Sequence, residues 1–162
     1  MKNLLIIRHA KSSWAIAGQD DFDRPLNDRG HRDAPLMAEK IMDATVKIDA
    51  FISSPANRAL TTAGYFAKAY GSSKKDIIVF KELYHASPAV FFDVICKIDD
   101  KYKTAAIFSH NPGITAFVNE LTATRIDNMP TCAVFAVKAD TRHWKDFASA
   151  QKTLWFFDYP KR

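Results

Sequence analysis

The chain has 162 residues, 48% hydrophobic and 12% aromatic, with 23 Lys and Arg against 18 Asp and Glu for a formal charge of +5. This is enough apolar material for one domain (1–162) with a sizeable core, which excludes an intrinsically disordered chain. The basic residues are dispersed, with no run longer than the pairs Lys74-Lys75 and Lys161-Arg162, and no RNP-type motif, zinc-knuckle spacing or arginine-rich tail, so no nucleic acid is expected as partner and the charge suits anionic substrates.

Leu4-Leu5-Ile6-Ile7 predicts a fully buried strand over residues 3–7, and the polar stretch from Lys11 to Arg29 predicts a long loop, which in a compact domain is often functional. Ala34, Met37, Ala38, Ile41 and Ala44 follow at helical spacing, with Pro35 required in the first turn if the helix is to stay unkinked. Residues 49–53 form a short strand that breaks at Ser54-Pro55, and residues 57–70 resume helical spacing with Gly71 as the cap. Ile77 to Phe80 is a further strand, and Ser87-Pro88 opens a helix over 88–99. A strand over 104–109 runs into the turn His110-Asn111-Pro112-Gly113 and a helix to about Leu121. Strands near 132–138 and 152–158 close the chain, and Trp144 and Trp155 to Phe157 are assigned to the core.

The alternation of strands and helices, without repeats or low-complexity linkers, makes the fold class α/β: a three-layer α/β/α sandwich with a mostly parallel central sheet. Cys96 and Cys132 lie far apart with no CxxC pair, which fits buried thiols in a reducing cytoplasm. Four apolar residues before Arg8 are too few for a secretory signal, and no stretch of about 18 apolar residues is present, so a cytoplasmic protein without membrane association is expected.

Three segments share one pattern, a strand giving way to a polar turn: Ile7 into Arg8-His9-Ala10-Lys11, Ile52 into Ser53-Ser54-Pro55-Ala56-Asn57-Arg58, and Phe108 into Ser109-His110-Asn111-Pro112-Gly113. Parallel neighbours would bring these C-terminal ends to one crevice holding two Arg and two His. Each Arg can bind two phosphoryl oxygens, and helix N-termini add N–H donors. No carboxylate cluster with metal-ligand spacing accompanies them, so neither metal nor cofactor is expected.

At these residues the chain closely resembles the histidine phosphatase superfamily (branch 1, phosphoglycerate mutase-like), and within it the short SixA-type phosphohistidine phosphatases. The resemblance covers Leu5-Ile6-Ile7-Arg8-His9-Ala10-Lys11-Ser12-Ser13-Trp14, Asp23 to Gly30, Ser53-Ser54-Pro55 with Arg58 and Thr62-Ala63, Glu82 to Ser87, and Ser109 to Gly113. Much of the superfamily has Gly where this chain has Ala10, which therefore needs a conformation allowed to a Cβ.

The resemblance implies that His9 is a nucleophile that becomes phosphorylated, with Arg8, Arg58 and His110 gripping the oxygens. The chemistry agrees, because the transition state spreads charge over three oxygens that preorganised donors can stabilise. His9 must be neutral at the attacking nitrogen, and a backbone carbonyl on the other would fix that tautomer. His110 serves best as a donor, more strongly if charged. Lys11, Ser12 and Asn111 are further candidate substrate contacts. Trp14 either covers the pocket mouth or packs on the domain body, while His31 and His143 are read as surface or supporting residues.

Larger relatives supply a Glu that protonates the leaving oxygen, and the corresponding segment here offers Glu82, Tyr84 and His85, of which Glu82 and His85 are the candidate acids. Without such an acid an alkoxide leaves poorly, whereas imidazole, with a reference pKa of about 6.5, can be protonated near neutrality. This favours a phosphohistidine-containing protein, such as a phosphorelay or phosphotransfer domain, as substrate and inorganic phosphate as product. The alternatives are a phosphomonoesterase for small phosphate esters or phosphoserine, and a non-catalytic phosphate-binding module.

Overall fold

A computed structural model describes residues 1–161, so Arg162 of the terminal basic pair lies outside the described residues. Strand β1 (Lys2–Arg8) is central, flanked by β4 (Thr104–Ser109) in parallel and β5 (Val134–Ala139) antiparallel. With β2 (Ala50–Ser53), β3 (Ile78–Val79) and β6 (Lys152–Asp158) the sheet has the order β3-β2-β4-β1-β5-β6. Only β5 runs against the other strands, since β6 is antiparallel to β5 in turn.

Successive side chains of a strand point to opposite faces, and β1 supplies a core to each. Leu5 and Ile7 pack with Phe51, Phe66 and Phe108 beneath helices α1 (Asp28–Asp43) and α2 (Asn57–Ala69). Leu4 and Ile6 pack with Phe91, Phe117, Phe135 and Trp144 on the other face, beneath α3 (Pro88–Ile95), α4 (Gly113–Val118) and a 3-10 segment over Trp144–Ser149. Each such Phe contributes roughly 1.5–3 kcal/mol by burial.

The sandwich is the expected one, but details differ, and α3 ends at Ile95 rather than near 99. Helix α1 begins at Asp28, because the Asn27 side chain accepts from Gly30 N at 2.9 Å and caps it inside the stretch expected to be loop. Pro35 therefore lies well past the first turn, where its missing N–H forfeits one internal bond. Trp144 is fully buried, whereas Trp155, Phe156 and Phe157 are only half-buried because β6 is an edge strand. Cys132 is buried, but Cys96 is exposed at the end of α3.

Two glycines let backbones approach where a side chain would not fit. A Cβ on Gly30 would overlap the Lys11 carbonyl, and one on Gly113 would overlap the Ala86 carbonyl. Gly113→Ala must push the 84–87 loop away from the start of α4, and it is expected to cost about 3 kcal/mol or more. Thermal unfolding of the variant checks this; an unchanged midpoint contradicts it.

Candidate active site

The strand register determines which residues meet. Arg8 of β1 pairs with Ser109 of β4, and Ser53 of β2 pairs with Phe108, so His9, Ser54 and His110 leave the sheet side by side. They open into a cleft of about 350 Å³. Arg8, His9, Arg58 and His110 line it, together with Lys11, Ser12, Asn111 and His85; the expected convergence of strand ends holds.

His9 is buried, and its Nδ1 lies 2.7 Å from the Ala10 carbonyl oxygen. A carbonyl only accepts, so Nδ1 carries the ring hydrogen and Nε2 keeps its lone pair. Arg58 Nε donates towards that Nε2 at 3.4 Å. Burial, opposed by the Ala10 bond and reinforced by the charges of Arg58, Arg8 and Arg24, lowers the His9 pKa from 6.5 to about 3. The ring is neutral at physiological pH. Ala10 adopts an ordinary conformation, since it is not among the positive-φ residues, and its N–H donates to Thr62 Oγ1 at 3.0 Å. That hydroxyl donates to the Arg58 carbonyl at 2.8 Å, so Thr62 fixes the first turn of α2 to the end of β1.

His110 follows β4, and its ring centroid lies 5.2 Å from that of His9. Its Nε2 is 2.8 Å from Ser54 Oγ, which already accepts from Ala56 N at 3.2 Å. If the serine hydrogen goes to Nε2, Nδ1 carries the ring hydrogen as a donor; that atom is buried and has no protein partner among the described residues. The free site favours the neutral form of His110. Burial, then the fields of His9 and Arg58, lowers its pKa from 6.5 to about 2. Arg8 donates from Nη1 to the Met129 carbonyl at 2.8 Å, while its buried Nε has no partner among the described residues. Burial and the neighbouring Arg58 lower its pKa, so the cleft holds cationic donors in excess of its internal acceptors.

The secondary candidates separate. Glu82 is outside the lining of the cleft; its carboxylate is 3.8 Å from Lys97 and its side chain is 48% exposed, which sets it apart from the groups that meet there. His85 lines the cleft at φ 66°, in the left-handed region, with its ring 3.9 Å from that of Tyr84. Asn111 has its amide committed, donating to Asn128 Oδ1 and the Met129 carbonyl while accepting from Thr115, so its side chain braces the turn. Ser12 Oγ accepts from Arg24 Nη2, and Lys11 reaches the cleft with its exposed side chain. His31 and His143 lie elsewhere, against Tyr65 and Asp100.

Asp21, Arg24, Trp14 and Thr131 complete the lining. Sequence reasoning assigned no chemistry to Asp21 or Arg24, although Arg24 stands within the quoted Asp23 to Gly30 segment. The Arg24 guanidinium sits 3.3 Å from the centroid of the Trp14 ring, so Trp14 lies at the mouth and is 75% exposed. Asp21 accepts from Tyr84 Oη at 2.7 Å and from Arg24 and Arg58 at 2.8 and 3.0 Å. Burial alone would raise its pKa, but these three hydrogen bonds hold it well below the ordinary carboxylate range. Tyr84 is pushed up to about 12 by burial and the Asp21 bond and charge. Among the described residues no group of three or more His, Cys, Asp or Glu is placed to hold a metal ion.

Residues 4–85 match the model of the histidine phosphatase superfamily (branch 1). An uncharacterized protein of Mycobacterium leprae is 31% identical over 125 residues, 75% of this chain and 74% of that protein. Phosphoserine phosphatase 1 of Hydrogenobacter thermophilus is 34% identical over 84 residues, 51% of this chain and 36% of its own length. The crystal structure assigned to a phosphohistidine phosphatase SixA from Agrobacterium tumefaciens superposes with a TM-score of 0.83 at 25% identity, covering 99% of each chain.

Proposed function

Because this chain belongs to the histidine phosphatase superfamily (branch 1) and is a phosphatase, we propose that it hydrolyses protein-borne phosphohistidine through a phosphorylated His9. The Nε2 lone pair of His9 attacks phosphorus while the P–N bond to the substrate imidazole breaks, and that imidazole keeps the electron pair and leaves neutral, its other nitrogen having taken a proton from solvent water. Water then attacks phospho-His9, the P–Nε2 bond breaks, and inorganic phosphate leaves with His9 neutral again. Arg8, Arg58 and His110 donate to the phosphoryl oxygens, where charge grows in the transition state. Lys11 adds charge at the rim.

The choice of substrate rests on one observation. Among the described residues the only carboxyl group lining the cleft, that of Asp21, is held ionised by three donors, and so has no proton to give a leaving alkoxide. Imidazole is the leaving group that can be protonated near neutrality without such help. The full-length likeness to the Agrobacterium structure supports the same reading. A cytoplasmic phosphorelay or phosphotransfer domain would fit as partner; among the described residues no helix is long and apolar enough to cross a membrane.

A second reading, hydrolysis of phosphoserine or small phosphate esters, draws on His85 in the cleft and on the partial likeness to a phosphoserine phosphatase. Turnover of a phosphohistidine domain, phosphoserine and sugar phosphates by the wild type decides between them. The first reading predicts at least about a hundredfold preference in kcat/KM for phosphohistidine, a scale that one missing general acid can produce. It also predicts that Glu82→Gln changes turnover by no more than about twofold, as for an exposed ion pair. Comparable rates on the esters would favour the second reading.

A further inference from the structure

Asp21 stands among cations in an anion-binding cleft, yet phosphoryl transfer itself gives it no task. By Coulomb's law its half-exposed carboxylate should weaken phosphate binding, so its presence calls for a compensating role. Its contacts supply one. Arg58 Nη1 donates to the Asp21 backbone carbonyl at 2.7 Å and Nη2 donates to Asp21 Oδ2 at 3.0 Å. Both outer nitrogens of the guanidinium are thus held by one loop residue, and Nε is the edge left facing His9 Nε2 at 3.4 Å. A planar fork gripped at two points has little freedom to rotate about its long side chain.

The carboxylate is itself held from two sides. Tyr84 Oη donates to Oδ2 at 2.7 Å, and Arg24 Nη1 donates to Oδ1 at 2.8 Å. Arg24 is anchored in turn by the Ser13 carbonyl at 3.1 Å and by Ser12 Oγ. Phe22 packs edge-on against Tyr84 with centroids 5.2 Å apart. The loop after β1, the start of α2 and the segment after β3 therefore meet at this one carboxylate.

We propose that Asp21 is a positioning residue, which turns Arg58 so that its Nε edge, beside His9 Nε2 in the free site, faces the phosphoryl group as it transfers to that nitrogen. The proposal rests on the phosphoryl-transfer reading given above. Its value as a test lies in the sign: removing a negative charge from this cleft should tighten phosphate binding if the charge acts alone, but slow transfer if the charge acts through Arg58.

Asp21→Ala and Asp21→Asn in the full chain are compared with wild type in turnover of a phosphohistidine domain and of para-nitrophenyl phosphate, and in inhibition by inorganic phosphate. Asp21→Ala is expected to lower kcat about 10- to 100-fold, the cost of a misplaced catalytic group. KM should change less than kcat, and phosphate inhibition should not tighten. Asp21→Asn, which keeps the backbone acceptor and one side-chain oxygen, should recover part of the loss. In nitrogen-15 relaxation spectra the Arg58 Nε–H should be as ordered as the backbone in wild type and mobile in Asp21→Ala. Unchanged kcat in folded variants, or tighter phosphate inhibition with equal or faster turnover, overturns the proposal. The relaxation measurement does not depend on turnover: if wild type hydrolyses neither substrate but Arg58 loses order in Asp21→Ala, the phosphatase mechanism fails while the clamp stands. If Arg58 order is the same in both proteins, the clamp fails.

Discussion

His9→Ala is expected to lower turnover of every phosphorylated substrate by at least about 10⁴-fold and to abolish acid-labile labelling of the protein, because the variant has no atom on which the phosphoryl group can rest. The site is built around one nitrogen. The Ala10 carbonyl holds the hydrogen on Nδ1, and Arg58 approaches Nε2 without supplying a nucleophile of its own. Single-turnover labelling followed by acid treatment checks the prediction; a labelled His9→Ala protein would place the intermediate elsewhere, and His110 would become the candidate. The depressed pKa also defines a pH window. A His9 pKa of about 3 keeps the free enzyme's nucleophile unprotonated as pH falls from 7, so the acid limb of kcat/KM due to His9 lies near pH 3. Stability follows the opposite logic: His9 and His110 both stay neutral when folded but bind protons near pH 6.5 when unfolded. Between that value and about pH 3 the unfolded chain holds more protons, so the free protein loses stability as it is acidified through this interval.

The second large effect is at Arg58. Arg58→Ala is expected to reduce kcat by about 10²- to 10³-fold, the usual loss for one preorganised donor to a developing negative charge. Arg58→Lys should recover little. A single ammonium cannot donate to both Asp21 acceptors at 2.7 and 3.0 Å and also keep a planar N–H on His9 Nε2. Steady-state turnover of both variants, with circular dichroism to confirm folding, checks this. A lysine variant at near wild-type rate would mean that the residue supplies only charge.

Much of this site was legible before the fold was known, because a buried strand that runs into a polar turn leaves a local signature. Arg8-His9 after β1, Ser54 to Arg58 after β2 and His110-Asn111 after β4 each carry that signature, and all three strands end at or next to the expected residue. The acid candidates were less legible. Glu82 and His85 are close neighbours in the chain, yet one pairs with Lys97 on the surface and the other enters the cleft, because the backbone takes φ 66° at His85. No propensity in the segment distinguishes them. Asn111 is a similar case, since its amide is consumed by Asn128, Met129 and Thr115, which lie up to 18 residues away in sequence.

The sequence by itself determined the alternation of elements, the apolar runs that make a two-faced sheet, and the polar turns that carry His9, Arg58 and His110. These are local properties, readable from side-chain period and turn chemistry. Tertiary structure alone decided the register that sets Arg8 level with Ser109 and the convergence of Arg58 and Tyr84 on Asp21. The physical reason is that strand pairing and the partners of the Asp21 carboxylate are supplied by residues distant in the chain, and no pattern within a segment records which partner will arrive.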